Sequence, residues 1–399
     1  MRTRLSIIMM LLLAGLAACR AEPPASPTAT ATVLPTPTVP AETASPTPNQ
    51  AATEDATPTP AGIYGPTGFP PDVNPLTGLP VDDPVTLDRR PLLIKVSNES
   101  QDVRPWSGLA FADHVWMYQM EGFAQTRFTA VIYSQTPERV GSVRSTRLID
   151  IEHLVDMYGG ILVTSGGSTN RHAGGPPRIH ELLRAAPWTN RVVNADFGFG
   201  APYLVRIPDI PRPGVASWHT LFAVPAEIWR WAEEQGLNER QPLEGLAFDP
   251  SPPPGGQPTT QASVDYPGYG PKQTWTYNAA SGRWESATND VPDGDTLLPP
   301  GEPLAFDNVV VLYAPHYEAD FIEDEPSQLY SVGVELTGEG KAVLLRDGQR
   351  YEVTWRRADR ASMIQFFNAG GQMIPFKPGT TWYNDASSNI FPPEVTFTP

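Results

Sequence analysis

Apolar positions fall into two different rhythms along the chain, on either side of residue 249. In the first, short continuous apolar runs alternate with helical spacing. Arg90 to Ser97 (RPLLIKVS), Asp113 to Met120 (DHVWMYQM) and Arg127 to Tyr133 (RFTAVIY) predict strands, being rich in β-branched and aromatic residues. Apolar positions 148, 151, 154 and 155 predict a helix over 148–157, and Ile161 to Thr164 predicts another short strand. Helices are expected over 178–186 and 225–235, the latter with Pro225 in its first turn and Gly236 as its stop. Strands alternating with helices indicate a mixed α/β layer. After the Pro/Gly stretch Asp249 to Gln257, short alternating strands follow at 273–277, 305–313, 329–336, 341–345, 350–356 and 363–367. Turn residues such as Gly338-Glu339-Gly340 and Asp347-Gly348 separate them. The expected fold class is α/β or α+β: a mixed-sheet N-terminal domain at 72–248, a linker at 249–272, a β-rich C-terminal domain at 273–386, and a frayed tail at 387–399.

The N-terminal residues follow neither rhythm. Arg2 and Arg4 precede an apolar run from Leu5 to about Ala18. A bilayer span needs roughly 20 apolar residues, so the run fits a signal-peptide core. It ends in Leu16-Ala17-Ala18-Cys19, which resembles the bacterial lipobox: residues 1–19 read as a lipoprotein signal peptide, with Cys19 as the lipidated residue. Residues 20–62 are dominated by Pro, Thr, Ala and Ser and carry almost no aromatic residues, the composition of a disordered, semi-rigid tether. The expected location is the extracytoplasmic face of the cell membrane, held by lipid.

Composition narrows the chemistry. The net charge of -16 argues against nucleic acid and against electrostatic adhesion to anionic lipid. A single Cys leaves no disulfide and no Cys/His zinc pattern. The six histidines contain no HExxH; His172 and His180 flank a Pro-Pro bend, and His219 reads as a packed side chain. Asp290, Asp293 and Asp295 resemble a fragment of a calcium loop without its terminal Glu, and read as a solvated turn. G-x-S-x-G is absent. No metal and no cofactor are expected. Most of the ten Trp are expected in the core.

Charge chemistry concentrates in residues 98–168. Lysine is confined to Lys95, Lys272, Lys341 and Lys377, so the cations here are guanidiniums, which bind carboxylate or phosphate as forks. Arg144 and Arg147 stand at i and i+3 near a helix start, with Ser142 and Ser145 as N-cap candidates. Arg127 and Arg104 are further cations; Glu121 and Asp113 are placed to orient them or to act as acid and base. Ser165-Gly166-Gly167-Ser168 follows a strand and offers backbone amides, although without the Lys of a nucleotide P-loop. Together these residues predict an anion pocket; the competing reading is a closed ion-pair network that serves only the fold.

Long motifs join these residues. Asn74 to Leu79 (NPLTGL), Arg104 to Asp113 (RPWSGLAFAD), Glu121 to Arg127, Val140 to Arg147 (VGSVRSTR) and Gly166 to Ser168 form one series. Residues 308–311 (NVVV), 338–348 (GEGKAVLLRDG) and 378–382 (PGTTW) form a second. The chain resembles the YerB-like lipoproteins, a bacterial family built on a domain of unknown function (DUF3048), over nearly all of Asn74 to Trp382. Thr220 and Phe222 depart from the family's pattern after His219. The resemblance implies an envelope lipoprotein and no defined chemistry. The expected role is non-enzymatic: binding or scaffolding of cell-wall glycan, an anionic polymer or a wall-synthesis protein. The alternative is a phosphotransferase or hydrolase acting on an envelope glycan through the Arg/Glu site. VGSVRSTR also resembles part of the LytR-CpsA-Psr phosphotransferases, but no Arg-Asp pair closes the turn. A two-lobed solute binder is disfavoured because the halves differ.

Overall fold

The computed structural model describes residues 62–123, 125–168, 178–324 and 326–399. Cys19, the signal and tether residues before 62, and His172 lie outside the described residues. Among the described residues no helix is long and apolar enough to cross a membrane.

One mixed sheet organises the fold. Its strands run in the order Gln257–Pro258, Gln349–Arg357, Gly338–Arg346, Asn308–Ala314, Thr381–Ser387, His114–Gln119, Thr126–Ile132, Leu92–Ser97, Ile161–Thr164 and Val192–Asn194, with Gln365–Phe367 paired beside Gln349–Arg357. Both faces are covered, which is why the N-terminal strands read as continuous apolar runs. One face carries Leu93, Trp116, Val131 and Leu162 against the helical segments Asp150–Leu154, Val155–Tyr158 and Arg178–Ala185. The other carries Ile94, Met117, Phe128 and Trp382 against the helix Pro225–Glu234 and a second sheet. That sheet orders Val291–Pro292, Arg283–Thr288, Lys272–Asn278, Gln261–Asp265 and Glu394–Thr398, with Ala305–Phe306 beside Arg283–Thr288.

Strand pairing crosses the expected linker. Thr381–Ser387 lies parallel to both Asn308–Ala314 and His114–Gln119, so the halves on either side of 249–272 share the main sheet. The segment 249–272 is itself pinned. Gln257–Pro258 pairs with Gln349 and Arg350, Gln261–Asp265 sits inside the second sheet, and Tyr351 donates its hydroxyl to the Pro253 carbonyl at 2.9 Å. Its Pro/Gly composition makes turns rather than an open spacer. The tail is not frayed either, since Glu394–Thr398 pairs antiparallel with Gln261–Asp265.

Asp293 and Asp295 are buried rather than solvated. Asp293 accepts from Ser286, Gln273 and Thr288, and Asp295 accepts the Gly108, Ala110 and Leu297 amides. These bonds tie the second sheet to the RPWSGLA turn.

Candidate functional site

Sheet register decides which charged residues can meet. His114 sits opposite Val131 and Gln119 opposite Thr126. Asp113 and Glu121 therefore flank opposite ends of a six-residue strand, roughly 20 Å apart at about 3.3 Å per residue. On the other side of Thr126–Ile132, Ser97 opposes Arg127. Past that point the stretch 142–144 lies along Leu92–Ser97, through Ser97 N to Ser142 O (2.9 Å) and Arg144 N to Lys95 O (3.2 Å). Ser165 N reaches Arg144 O at 2.9 Å, and Thr146 N reaches Gly166 O. This stitching brings Arg127, Arg144, Arg147, Ser145 and Gly167 to one place.

Those residues, with Glu121, border an open cleft of about 670 Å³. Arg147 makes a two-pronged bond to Glu121, 2.9 Å from Nε to Oε2 and 2.9 Å from Nη2 to Oε1. Its Nη1 lies 3.5 Å from Glu323. Arg144 donates to Glu99 at 3.1 Å, and Arg127 reaches Glu99 at 3.5 Å and the Ser145 hydroxyl at 3.3 Å. The three guanidiniums are not equivalent. The Arg144 side chain is 29% exposed, against 2% for Arg127 and 7% for Arg147.

Electrostatics follow burial. Desolvation, with Arg147 alongside, pulls the Arg127 guanidinium down to about 9, still charged at neutral pH. Burial alone would lower Arg147 and raise Glu121, but each overcomes the other's cost: Arg147 is held above its ordinary value and Glu121 below its own. Burial raises Glu323, which the longer contact to Arg147, the Ser331 hydroxyl and the charge of Arg127 offset only in part. Beneath the cleft, Lys95 and Asp150 form a fully buried pair at 2.8 Å, and burial brings Lys95 down to about 7.

Several expected site residues serve the fold instead. Arg104 lies over the Trp106 ring and donates to Asn98 and to the Ser100 carbonyl. Asp113 is sealed at the far end of its strand, accepting from Asn74 (2.6 Å), the Tyr133 amide (2.7 Å) and both the amide and hydroxyl of Ser134. Neither Ser142 nor Ser145 caps the following helix; Asp150 takes the Arg147 amide at 2.8 Å. Of the 165–168 loop only Gly167 lines the cleft, while Ser165 and Gly166 hold the 144–146 stretch and Ser168 accepts from Ile179 N.

The cleft has walls that local reading did not supply. Glu99 stands two residues past Leu92–Ser97, and the Ser97–Arg127 register is the signal that could have found it. Glu323, Asp324, Ser327 and Leu329 come from the hairpin His316–Asp324/Leu329–Val334, and Tyr269 from the turn after Gln261–Asp265. Only the chain's long-range topology delivers these. His219 is buried, as expected; its Nε2 accepts from the Trp218 indole at 2.9 Å and its Nδ1 points at Glu99 from 3.6 Å.

Comparison with known proteins agrees with this architecture. Residues 76–238 match the family model described as Protein of unknown function (DUF3048) N-terminal domain, and residues 262–383 match the DUF3048 C-terminal domain. YerB of Bacillus subtilis (strain 168), named as a candidate lipoprotein, is 29% identical over 318 residues, covering 78% of this chain and 85% of YerB. The crystal structure of the Bacillus subtilis YerB protein superposes with a TM-score of 0.63 at 26% identity, covering 81% of this chain and 99% of that one. With both halves matched in order, the chain is a member of the YerB-like DUF3048 family of lipoproteins.

Proposed function

We propose that this lipoprotein is held on the outer face of the membrane through Cys19 and binds cell-wall glycan without turning it over. One observation carries the reading. The Arg127, Arg144 and Arg147 cluster borders an open cleft, where Arg144 reaches solvent and Arg127 and Arg147 stand buried in the wall behind it. A purely structural network gains nothing from a cavity of that size. Arg144 is the cation placed for a ligand, because it is the most exposed of the three and Glu99 divides its charge between Arg144 and Arg127. Arg147 and Glu121 satisfy each other and so set the shape of the cleft.

The acid/base alternative has less support. Glu121 is clamped on both oxygens by Arg147 and Glu99 is shared among cations, so neither is free to take a proton in a reaction.

The test uses the full chain. The wild-type protein should fractionate with membranes as a mature chain, and a Cys19→Ala chain should be released or left unprocessed. That released chain should sediment with purified wall glycan and leave it intact over long incubation. Release of reducing ends or of phosphate would replace the binder by an enzyme. Failure to sediment with any wall preparation would remove the reading altogether.

A further inference from the structure

We propose, building on that reading, that the cleft selects a saccharide chain bearing isolated carboxylates over a polyphosphate, with Trp218 as an aromatic subsite at its edge. The first observation is charge balance. Three guanidiniums at the cleft face four carboxylates, Glu99, Glu121, Glu323 and Asp324. A polyanion entering it would meet no positive excess, on a chain whose net charge is already -16. A single carboxylate can still take a fork from Arg144, while the acidic residues accept from hydroxyl and amide hydrogens of a sugar.

The second observation is aromatic. Tyr269, at the cleft, is 90% exposed, and Trp218 is 59% exposed on a chain whose other nine Trp are buried or partly buried. Trp218 is fixed rather than loose. Its indole N–H donates to His219 Nε2 at 2.9 Å, and the His219 Nδ1 stands 3.6 Å from Glu99 without bonding it. The backbone beneath is held too, since Ser217 O accepts from Arg206 and from the Thr220 hydroxyl. With its one polar atom already bonded, Trp218 offers only its ring faces. An immobilised, exposed indole beside an Arg/Glu corner suits a sugar face, and little ordering cost remains to be met on binding.

Trp218 lies outside the residues that border the cleft, and His219, bonded to it, sits 3.6 Å from Glu99, the carboxylate that Arg144 holds, which places the ring next to the cation. The probes are a muramidase-released peptidoglycan disaccharide stripped of its stem peptide by an amidase, which leaves a free lactyl carboxylate on the sugar, and a glycerol phosphate oligomer of similar length. Wild-type protein should bind the former more tightly at physiological ionic strength. Trp218→Ala should weaken that binding about fivefold, the scale of one aromatic contact, without lowering the unfolding midpoint. Trp218→Phe, which keeps a ring but loses the bond to His219, should stay near wild type. Equal or tighter binding of the polyphosphate overturns the selectivity. A Trp218→Ala protein that binds like wild type, or a Trp218→Phe protein that falls as far as Ala, overturns the subsite. A protein that sediments with whole walls yet binds neither probe overturns this inference alone.

Discussion

The two ends of the strand His114–Gln119 hold chemically similar clusters with opposite fates. At one end Asp113 is fully buried and takes every bond from neutral donors, with no cation touching it. At the other, Glu121 is also well buried but is met by an arginine fork, and the space beyond stays open. Read from residue types alone, both are carboxylates near arginines. Charge separates them: the sealed carboxylate lies beneath a smaller cavity of about 390 Å³ and fixes the strand against residues 74 and 133–134, while the cleft of about 670 Å³ leaves a guanidinium available to something outside the chain. Donor count also differs. Asp113 draws its donors, the Asn74 amide, the Tyr133 and Ser134 backbone amides and the Ser134 hydroxyl, from the N-terminal half, whereas the cleft is assembled from both halves of the sequence.

The sharpest way to break this comparison is at the sealed end. Asp113→Ala strands the Asn74 amide and the Tyr133 and Ser134 donors, and should cost about 3–5 kcal/mol in chemical denaturation. Asp113→Asn, which keeps one acceptor oxygen, should recover much of that. If Asp113→Ala unfolds like wild type, the sealed cluster is not holding the strand.

Acid should find the same end next. Burial holds His114, bonded to Tyr158 and to the Leu76 carbonyl, down at about 4, and His153 is likewise held at about 4. A base whose folded value lies below its unfolded one, near 6.5, leaves the unfolded chain binding more protons in that window. Stability should therefore fall as pH drops from about 6.5 toward 4, with His114 alone contributing about 2 kcal/mol of loss by pH 5. Glu121 has the same sign in a lower window: its value is depressed, so its contribution is complete above the ordinary carboxylate range and is lost only below it. Urea titrations of wild type and His114→Gln across that window check the assignment, since the variant should show a shallower decline.

Much of the fold was legible because burial on both faces writes itself as unbroken apolar runs. Leu92–Ser97, His114–Gln119, Thr126–Ile132 and Ile161–Thr164 fall where their sequences place them, as do the helices Arg178–Ala185 and Pro225–Glu234. Thr381–Ser387 did not stand out, although it is the central strand. Its polar residues are wholly buried, with Asn384 donating to the Val310 carbonyl and Asp385 facing His316 at 3.1 Å, so its pattern looks like a surface. Glu394–Thr398 is a half-exposed edge strand whose pairing partner lies over 120 residues away in sequence, and nothing local announces it. For the site, the Arg127, Arg144, Arg147 and Glu121 grouping was readable from motif spacing, because strand and turn hold it locally. Arg104 and Asp113 were drawn in by proximity along the chain, which register then undid. Glu323, Asp324 and Tyr269 were out of reach because a hairpin and a turn from the other half deliver them.

The most direct measurement is a paired one on Arg144→Ala: its unfolding free energy, and its affinity for purified peptidoglycan. Arg144 is partly exposed and held by its bond to Glu99. An open binding cluster predicts a stability change under about 1 kcal/mol, together with an affinity loss of about tenfold, the scale of one charge-assisted bond. Arg147→Ala provides the contrast, since it strands the buried Glu121 and should cost about 3–5 kcal/mol. An Arg144→Ala protein that loses several kcal/mol while binding wall glycan as wild type does would contradict the account, and would make the whole cluster a structural ion-pair network.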